Sequence, residues 1–325
     1  MPVPEPADSA RSPIGAAVRE ITAREAFDVV FVSGFGQWPG ERAFGHARVV
    51  LDIDSLDGTI FERMRHTDRD IVSSFDVAAT EALTRTVCAR ADPVLACSDV
   101  DAARIASLSP DARIDVMPNG VDTRVFDGLS APPREGSPTV TFTGFLAYWP
   151  NADACTFFIV DILPRLRALV PDVRVRIVGR VAPEPVVTMT AAHGVELHAD
   201  VPDIRPWFET SHVMVAPIRA GSGTRLEILE AFAARRPVVS TTIGCEGLDV
   251  RHDEHLLIAD DGERFAEAVA SLLHDRARAD AMATRARELV EQRFAHPALA
   301  ERMRTLFDSL ADTPPRVRTR AERRA

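Results

Sequence analysis

The chain has 325 residues, 46% of them hydrophobic and 26% charged, with a formal net charge of −10. At roughly 100–200 residues per domain, this length fits two domains with real cores, and the acidic balance argues against nucleic acid as a partner. All 38 basic residues are arginine, so a site that needs a cation must use arginine here.

Residues 1–24 begin MPVPEPADSARSP, rich in proline and poor in large apolar side chains, and are expected to be a disordered tail. They lack the basic-then-apolar order of a signal peptide. Strands are expected over residues 28–32 and 49–53, a helix over 60–90, and strands again over 94–97 and 114–117. The turn residues of PNGVD (118–122) follow. Beyond them the alternation is regular. Strand 140–143 leads to a helix over 152–169 that tolerates Pro164, then strand 173–178 and a short helix over 186–193. Strand 213–217, helix 224–234 and strand 238–241 come next, then a short strand at 256–258 and helices over 262–274, 276–294 and 297–310. Residues 312–325 carry Arg316, Arg318, Arg320, Arg323 and Arg324, a basic disordered tail that is either simply solvated or weakly drawn to a membrane surface. No run of apolar residues approaches the 18 or so of a spanning helix, so a cytoplasmic protein is expected. Cys88, Cys97, Cys155 and Cys245 lack C-x-x-C spacing and a nearby His cluster, and read as small buried residues.

Strands alternating with helices predict an α/β fold with parallel sheets covered on both faces. In such sheets ligands bind at the carboxyl ends of the strands, which directs attention to the strand-to-helix loops. In APIRAGSGTRLEILEAFA (216–233), Gly221, Ser222 and Gly223 turn the chain, Thr224 is a plausible N-cap, and a helix starts at about Arg225. Small residues let backbone N–H groups approach an anion, which the helix N-terminus favours; many strand–Gly–helix turns nevertheless bind nothing. Glu230 lies at the border of the helix's apolar arc, where a carboxylate needs a partner: a pair of sugar hydroxyls or a nearby arginine. In GFLAYWPNADA (144–154), Gly144 permits close backbone approach, Tyr148 and Trp149 could shape a pocket, and Asn151 suits an N-cap. The segment ADVPDIRPWF (199–208) either faces a base or is a plain connector. In LDIDS (51–55), Asp52 and Asp54 are weak catalytic candidates against the alternative of an Asx turn at a strand end. No metal site is expected, because too few ligands accompany them.

In order along residues 93–310, PNGVD, FTGFLAYWPNADA, IVGR (177–180), the stretch 201–248 and LLIADD (256–261) resemble the family 4 glycosyltransferases, whose GT-B fold pairs two Rossmann-like domains. LDIDS resembles a motif of members that act on bacterial surface polysaccharides. The resemblance implies a retaining transfer from a nucleotide-sugar donor to a glycan or lipid-linked acceptor, with no metal and no cofactor. By position Glu230 resembles the carboxylate that holds the donor ribose. Gly223 and Thr224, following Gly221 and Ser222, resemble the backbone donors to the diphosphate. Gly144 resembles the glycine facing the donor. Val201, Pro202 and Asp203 resemble the stretch beside the base, and Arg180 and Arg225 are the remaining candidate phosphate partners.

The pattern is not complete. Ser222 stands where the family often has a glutamate, and Glu227 stands where related members often have a lysine. The expected arrangement is an acceptor-side domain over 25–117, truncated relative to the family, and a donor domain over 118–296. A helix over 297–311 is expected to cross back to the first domain. A gene start further upstream, a second chain completing the first sheet, or degeneration would each account for the missing strands. A retaining glycosyltransferase of cell-surface polysaccharide synthesis, cytoplasmic or peripheral at the membrane's inner face, is the first reading. A relic that binds a nucleotide sugar or a partner without transfer is the second, and another GT-B-like enzyme such as an epimerase the third.

Overall fold

Parallel pairing joins every strand in the computed structural model, which describes residues 13–34, 38, 44, 47–67, 77–131 and 136–312. The chain divides into two units, residues 1–118 with 299–325 and residues 119–298.

In the first unit, α1 (Pro13–Arg24) precedes β1 (Val29–Ser33) and β2 (Arg48–Ile53). Next come α2 (Asp57–Thr67), α3 (Val77–Cys88), β3 (Val94–Ala96), α4 (Asp99–Leu108) and β4 (Ile114–Val116). The sheet runs β1-β2-β3-β4. Side chains alternate across a strand, so Leu51, Ile53, Val94 and Ala96 meet Val87 and Ile105 in one core. On the opposite face Val50, Leu95 and Met117 meet Leu306 and Leu310 of the chain's last helix. Arg48 in β2 is buried and donates to the Leu310 carbonyl at 2.8 Å, which ties that helix to the sheet.

Two expectations need correction here. Residues 13–24 are helical, not disordered. Ile14, Val18 and Ile21 recur at helical spacing, Val18 packs against the first core, and Arg24 pairs with Glu20 one turn back at 2.6 Å. The proline-rich start lies in residues 1–12, outside the described residues. The single helix expected over 60–90 is two helices, α2 and α3, with residues 68–76 between them outside the description. The basic residues beyond 312 also lie outside it.

The second unit opens with a 3-10 turn (Thr123–Phe126) and β5 (Thr139–Phe145), then α5 (Trp149–Phe157), a π-helical turn (Phe158–Ile162) and α6 (Leu163–Leu169). It continues through β6 (Arg174–Arg180), α7 (Glu184–Ala192), β7 (Glu196–Ala199), α8 (Arg205–Glu209) and β8 (Val213–Ala216). Then come α9 (Leu226–Ala233), β9 (Val238–Ser240), β10 (Leu257–Ile258), α10 (Gly262–His274) and α11 (Arg276–Arg293). The last helix, α12 (His296–Asp312), runs on from there. The single helix expected over 152–169 is interrupted because Pro164 has no N–H to offer the Val160 carbonyl. The ladder widens instead, and the Leu163 N–H donates to Phe158 O, five residues back.

The sheet order is β10-β9-β8-β5-β6-β7. One face carries a core built on Val140, Phe142, Val175 and Ile177 with the π-helical turn and α10. The other carries Met214 and Ala216 with α9 and α11. The charged alternation of VRVRIV fits because β6 neighbours the edge strand β7. Arg174 bonds Glu196 across that edge at 2.7 Å, and Arg176 lies 3.4 Å from the same carboxylate. Strand order reverses at β5: β6 and β7 lie to one side, β8, β9 and β10 to the other. A crevice therefore opens between the loops that leave β5 and β8 at their carboxyl ends, the position at which open α/β sheets bind ligands.

Candidate functional site

Gly144, next to last in β5, pairs in register with Gly179 of β6, just before the loop that leaves β5. The two strands touch so closely there that a Cβ on Gly179 would fall on the Gly144 carbonyl oxygen. Leu146 N–H donates to Arg180 O at 2.8 Å, so the end of β6 carries the β5 loop. Contrary to the expectation from sequence, Asn151 does not cap α5. Tyr148 occupies the cap position without a side-chain capping bond, and Pro150 sits at the start of the helix, where its missing N–H does no harm. Asn151 instead lies inside the first turn and reaches back, donating Nδ2 to Phe145 O at 3.0 Å. The same nitrogen stands 2.8 Å from the place a Cβ on Gly144 would occupy, so the glycine is needed for this contact.

The loop leaving β8 is braced on two sides. Thr241 Oγ donates to the Ile218 carbonyl, and Ser240 Oγ donates to Ala216 O at 3.1 Å. On the other side Arg219 grips Asp153 of α5 through Nε at 3.0 Å and Nη2 at 2.5 Å. Its guanidinium also lies 4.7 Å from the centre of the Phe157 ring. This pair joins the β5 and β8 loops across the crevice. Asp153→Ala would leave the guanidinium with only the ring, and is expected to lower stability by about 1–3 kcal/mol in thermal denaturation. Asp153→Asn, which keeps one acceptor, should lose about half as much.

The Gly-rich segment differs from expectation at Thr224. The helix starts one residue later, at Leu226, with Arg225 at the cap position and no side-chain cap bond. Thr224 Oγ is buried without a hydrogen-bond partner. Arg225 is turned inward: its Nη1 donates to Ser222 O at 2.7 Å and to Gly223 O at 3.2 Å. Buried polar groups normally find partners, so this loop holds polar atoms that the protein does not satisfy.

Glu230 and Glu227 lie on α9 one turn apart, both half-buried. Burial, and then the Glu227 charge, pushes the Glu230 carboxyl up to about 7. Burial also raises Glu227, with Arg225 opposing the shift. Two carboxylates this close in a desolvated setting resist carrying two negative charges together.

Arg180, at the end of β6, has an exposed side chain. Val201 is half-buried beside Asp200, whose carboxylate accepts from Val181 N–H at 3.0 Å. Asp203 bonds the Arg205 guanidinium at 2.8 Å, and those bonds hold its carboxyl below the usual range. The structure thus groups Gly144, Arg180, the 216–225 loop and Glu230 around the carboxyl edge of one sheet. It adds Asp153 and Arg219, which sequence reasoning missed, and gives Asn151 a role other than the expected cap. Asp52 and Asp54 belong to the other unit, at and just beyond the end of β2. Burial, and then Asp54, raises the Asp52 carboxyl, while Ser33 opposes the shift by hydrogen bonding. Among the described residues no group of three or more His, Cys, Asp or Glu side chains is placed to hold a metal ion, and no helix is long and apolar enough to cross a membrane.

Two parallel-sheet units, one with a Gly-rich loop at its switch point, define the GT-B architecture. Solved structures share it. Sucrose-phosphate synthase from Thermosynechococcus elongatus superposes with a TM-score of 0.76 at 17% identity, covering 95% of this chain and 80% of that one. HepE of Anabaena, solved in complex with UDP-glucose, gives 0.71 at 15% identity, covering 94% and 84%. Residues 137–275 match the family model for glycosyl transferases group 1. The lipopolysaccharide core biosynthesis mannosyltransferase LpcC of Rhizobium leguminosarum bv. viciae is 27% identical over 248 residues, 70% of this chain and 68% of that protein. By these likenesses the chain is similar to the group 1 glycosyltransferases, and its fold is GT-B.

Proposed function

We propose that the chain transfers a sugar from a nucleotide-sugar donor to a glycan or lipid-linked acceptor of the cell surface, with retention of anomeric configuration and without a metal. The observation that carries this reading is the second unit's crevice. A Gly-Ser-Gly-Thr loop sits at the point where strand order reverses, and Glu230 stands on the helix that follows. The diphosphate would lie on the N–H groups of Gly223 and Thr224, beside Arg180, which stabilise the charge that grows as the sugar bond breaks. Glu230 would accept the ribose hydroxyls, and Val201 would lie beside the base. The two similarities that support the class include a lipopolysaccharide core mannosyltransferase and a protein solved with UDP-glucose. Such a transfer would take place in the cytoplasm, at the inner membrane face when the acceptor is lipid-linked.

Ser222 and Glu227 favour a second reading, a donor-binding relic, because both put a different group where a related enzyme has a charged one. Calorimetric titration with UDP, GDP and their sugars, followed by product analysis of the anomeric configuration, separates the two. Binding with transfer supports the enzyme, and binding without transfer to any offered acceptor supports the relic. Failure of the folded protein to bind any of them removes the donor site.

A further inference from the structure

The Gly-rich loop is held by its own buried arginine. Arg225 is only 8% exposed. Its Nη1 takes both the Ser222 and the Gly223 carbonyl oxygens, at 2.7 and 3.2 Å. Its Nη2 fills the space that a Cβ on Gly221 would need, and is itself buried without a partner. A trans peptide is planar, with its C=O and N–H pointing in opposite directions. The Ser222 carbonyl shares a peptide with the Gly223 N–H, and the Gly223 carbonyl shares one with the Thr224 N–H. Drawing both carbonyls toward the guanidinium therefore turns both N–H groups away from it.

Resting on the donor-site reading above, we infer that Arg225 is a positioning residue for the donor diphosphate and not one of its ligands: it grips the loop from beneath and aims the Gly223 and Thr224 N–H groups at the anion. Gly221 belongs to the same device, since only glycine leaves room for the guanidinium. Arginine suits the task because its rigid guanidinium plane fixes the direction of both Nη1 hydrogens while Nη2 packs against Gly221 and the charge stays on; a lysine ammonium has no such plane to fix its donors.

The test uses the full chain as wild type, Arg225→Ala, Arg225→Lys, Gly221→Ala and the Gly221→Ala/Arg225→Ala double variant. Each is titrated calorimetrically with UDP and GDP and with the corresponding nucleosides, and each is melted. Arg225→Ala is expected to weaken the nucleoside diphosphate about tenfold while leaving the nucleoside within about twofold. A purely structural role would move the melting temperature without moving that ratio. Arg225→Lys, which keeps the charge and is the milder change for folding, should lose most of the same selectivity. Gly221→Ala should reproduce the loss in the wild-type background and add nothing once residue 225 is alanine, because the atoms it would strike are gone. Three results each overturn the inference while leaving the donor site standing: full diphosphate affinity in Arg225→Lys, an unchanged diphosphate-to-nucleoside ratio in Arg225→Ala, or additive losses in the double variant. Failure of the donor reading looks different: the folded wild type then binds neither nucleotide, and the anion-aiming role falls with it.

Discussion

Glu230→Ala is expected to weaken nucleoside binding by about 1–3 kcal/mol, roughly 5- to 150-fold, because it removes a charged acceptor for two hydroxyls. The stronger expectation concerns pH. Burial and the neighbouring Glu227 bring this carboxyl up to about 7, so a large share of the free protein is protonated there at neutral pH. Only the ionised form accepts both ribose hydroxyls, so binding must release a proton below that point. Affinity should rise as pH goes from about 6 to 8 and then level off, with a slope of at most about tenfold per unit on the acid side. Stability of the empty protein runs the other way. A folded-state value raised above the ordinary 4.5 contributes stability that is full below that value and is lost as pH rises through about 7. Wild type should therefore lose melting temperature relative to Glu230→Gln across this window, and regain it with ligand. The nucleoside is the proper probe because it has no phosphate of its own to titrate. A flat nucleoside affinity between pH 6 and 8, identical in wild type and Glu230→Gln, would remove Glu230 from the ribose site.

The same helix shows how far the sequence could be read. Its apolar arc of Leu226, Ile228, Leu229, Phe232 and Ala233 is strong enough to be seen without neighbours, and all are buried except Leu226, which the helix exposes at its first position. The alternation of strand and helix was equally legible, because buried parallel strands leave apolar runs separated by amphipathic ones. What stayed hidden was set by partners distant in sequence or by competition within a turn. Arg219 and Asp153 are 66 residues apart, and only the strand order brings their loops together. Thr224 and Asn151 are both good caps by type, yet neither caps. Asn151 finds a better acceptor in the Phe145 carbonyl, and the inward turn of Arg225 moves the helix start past Thr224. The helical residues 13–24 were masked by composition, since the prolines ahead of them outweighed a clear spacing of Ile14, Val18 and Ile21. Pro164 was read as tolerated, and the chain does tolerate it, but by widening a turn that no periodicity reveals.

Gly179→Ala is expected to be the most damaging single methyl in the donor domain. An added Cβ there would fall on the Gly144 carbonyl oxygen and within 2.8 Å of Leu146 Cγ. The first obstacle is backbone, so no rotamer change can make room. Either β5 and β6 part at their carboxyl ends or the Gly144 peptide rotates. Parting threatens the bonds that run from Gly144 through Leu146 N–H to Arg180 O, the register that supports the β5 loop. Rotating the peptide moves Gly144 against Asn151, whose Nδ2 already holds the Phe145 carbonyl. Overpacking of this kind typically costs about 1–3 kcal/mol, and with an immovable neighbour the upper end, about 3 kcal/mol, is the expectation. For a unit of this size that is a fall in melting temperature of roughly 6–12 °C. The effect on function should exceed the effect on folding. At a temperature where the variant is still folded, nucleotide affinity should fall with it, because the displaced peptide is the one proposed to face the donor. A control in the same unit is Gly194→Ala, where the left-handed backbone (φ +62) is strained by a side chain but the nearest atom is the tip of Arg167 at 3.7 Å. It should lose stability without losing nucleotide affinity. If Gly179→Ala melts near wild type, or binds nucleotide as the control does, then the close approach of β5 and β6 is not what shapes the donor side of the crevice.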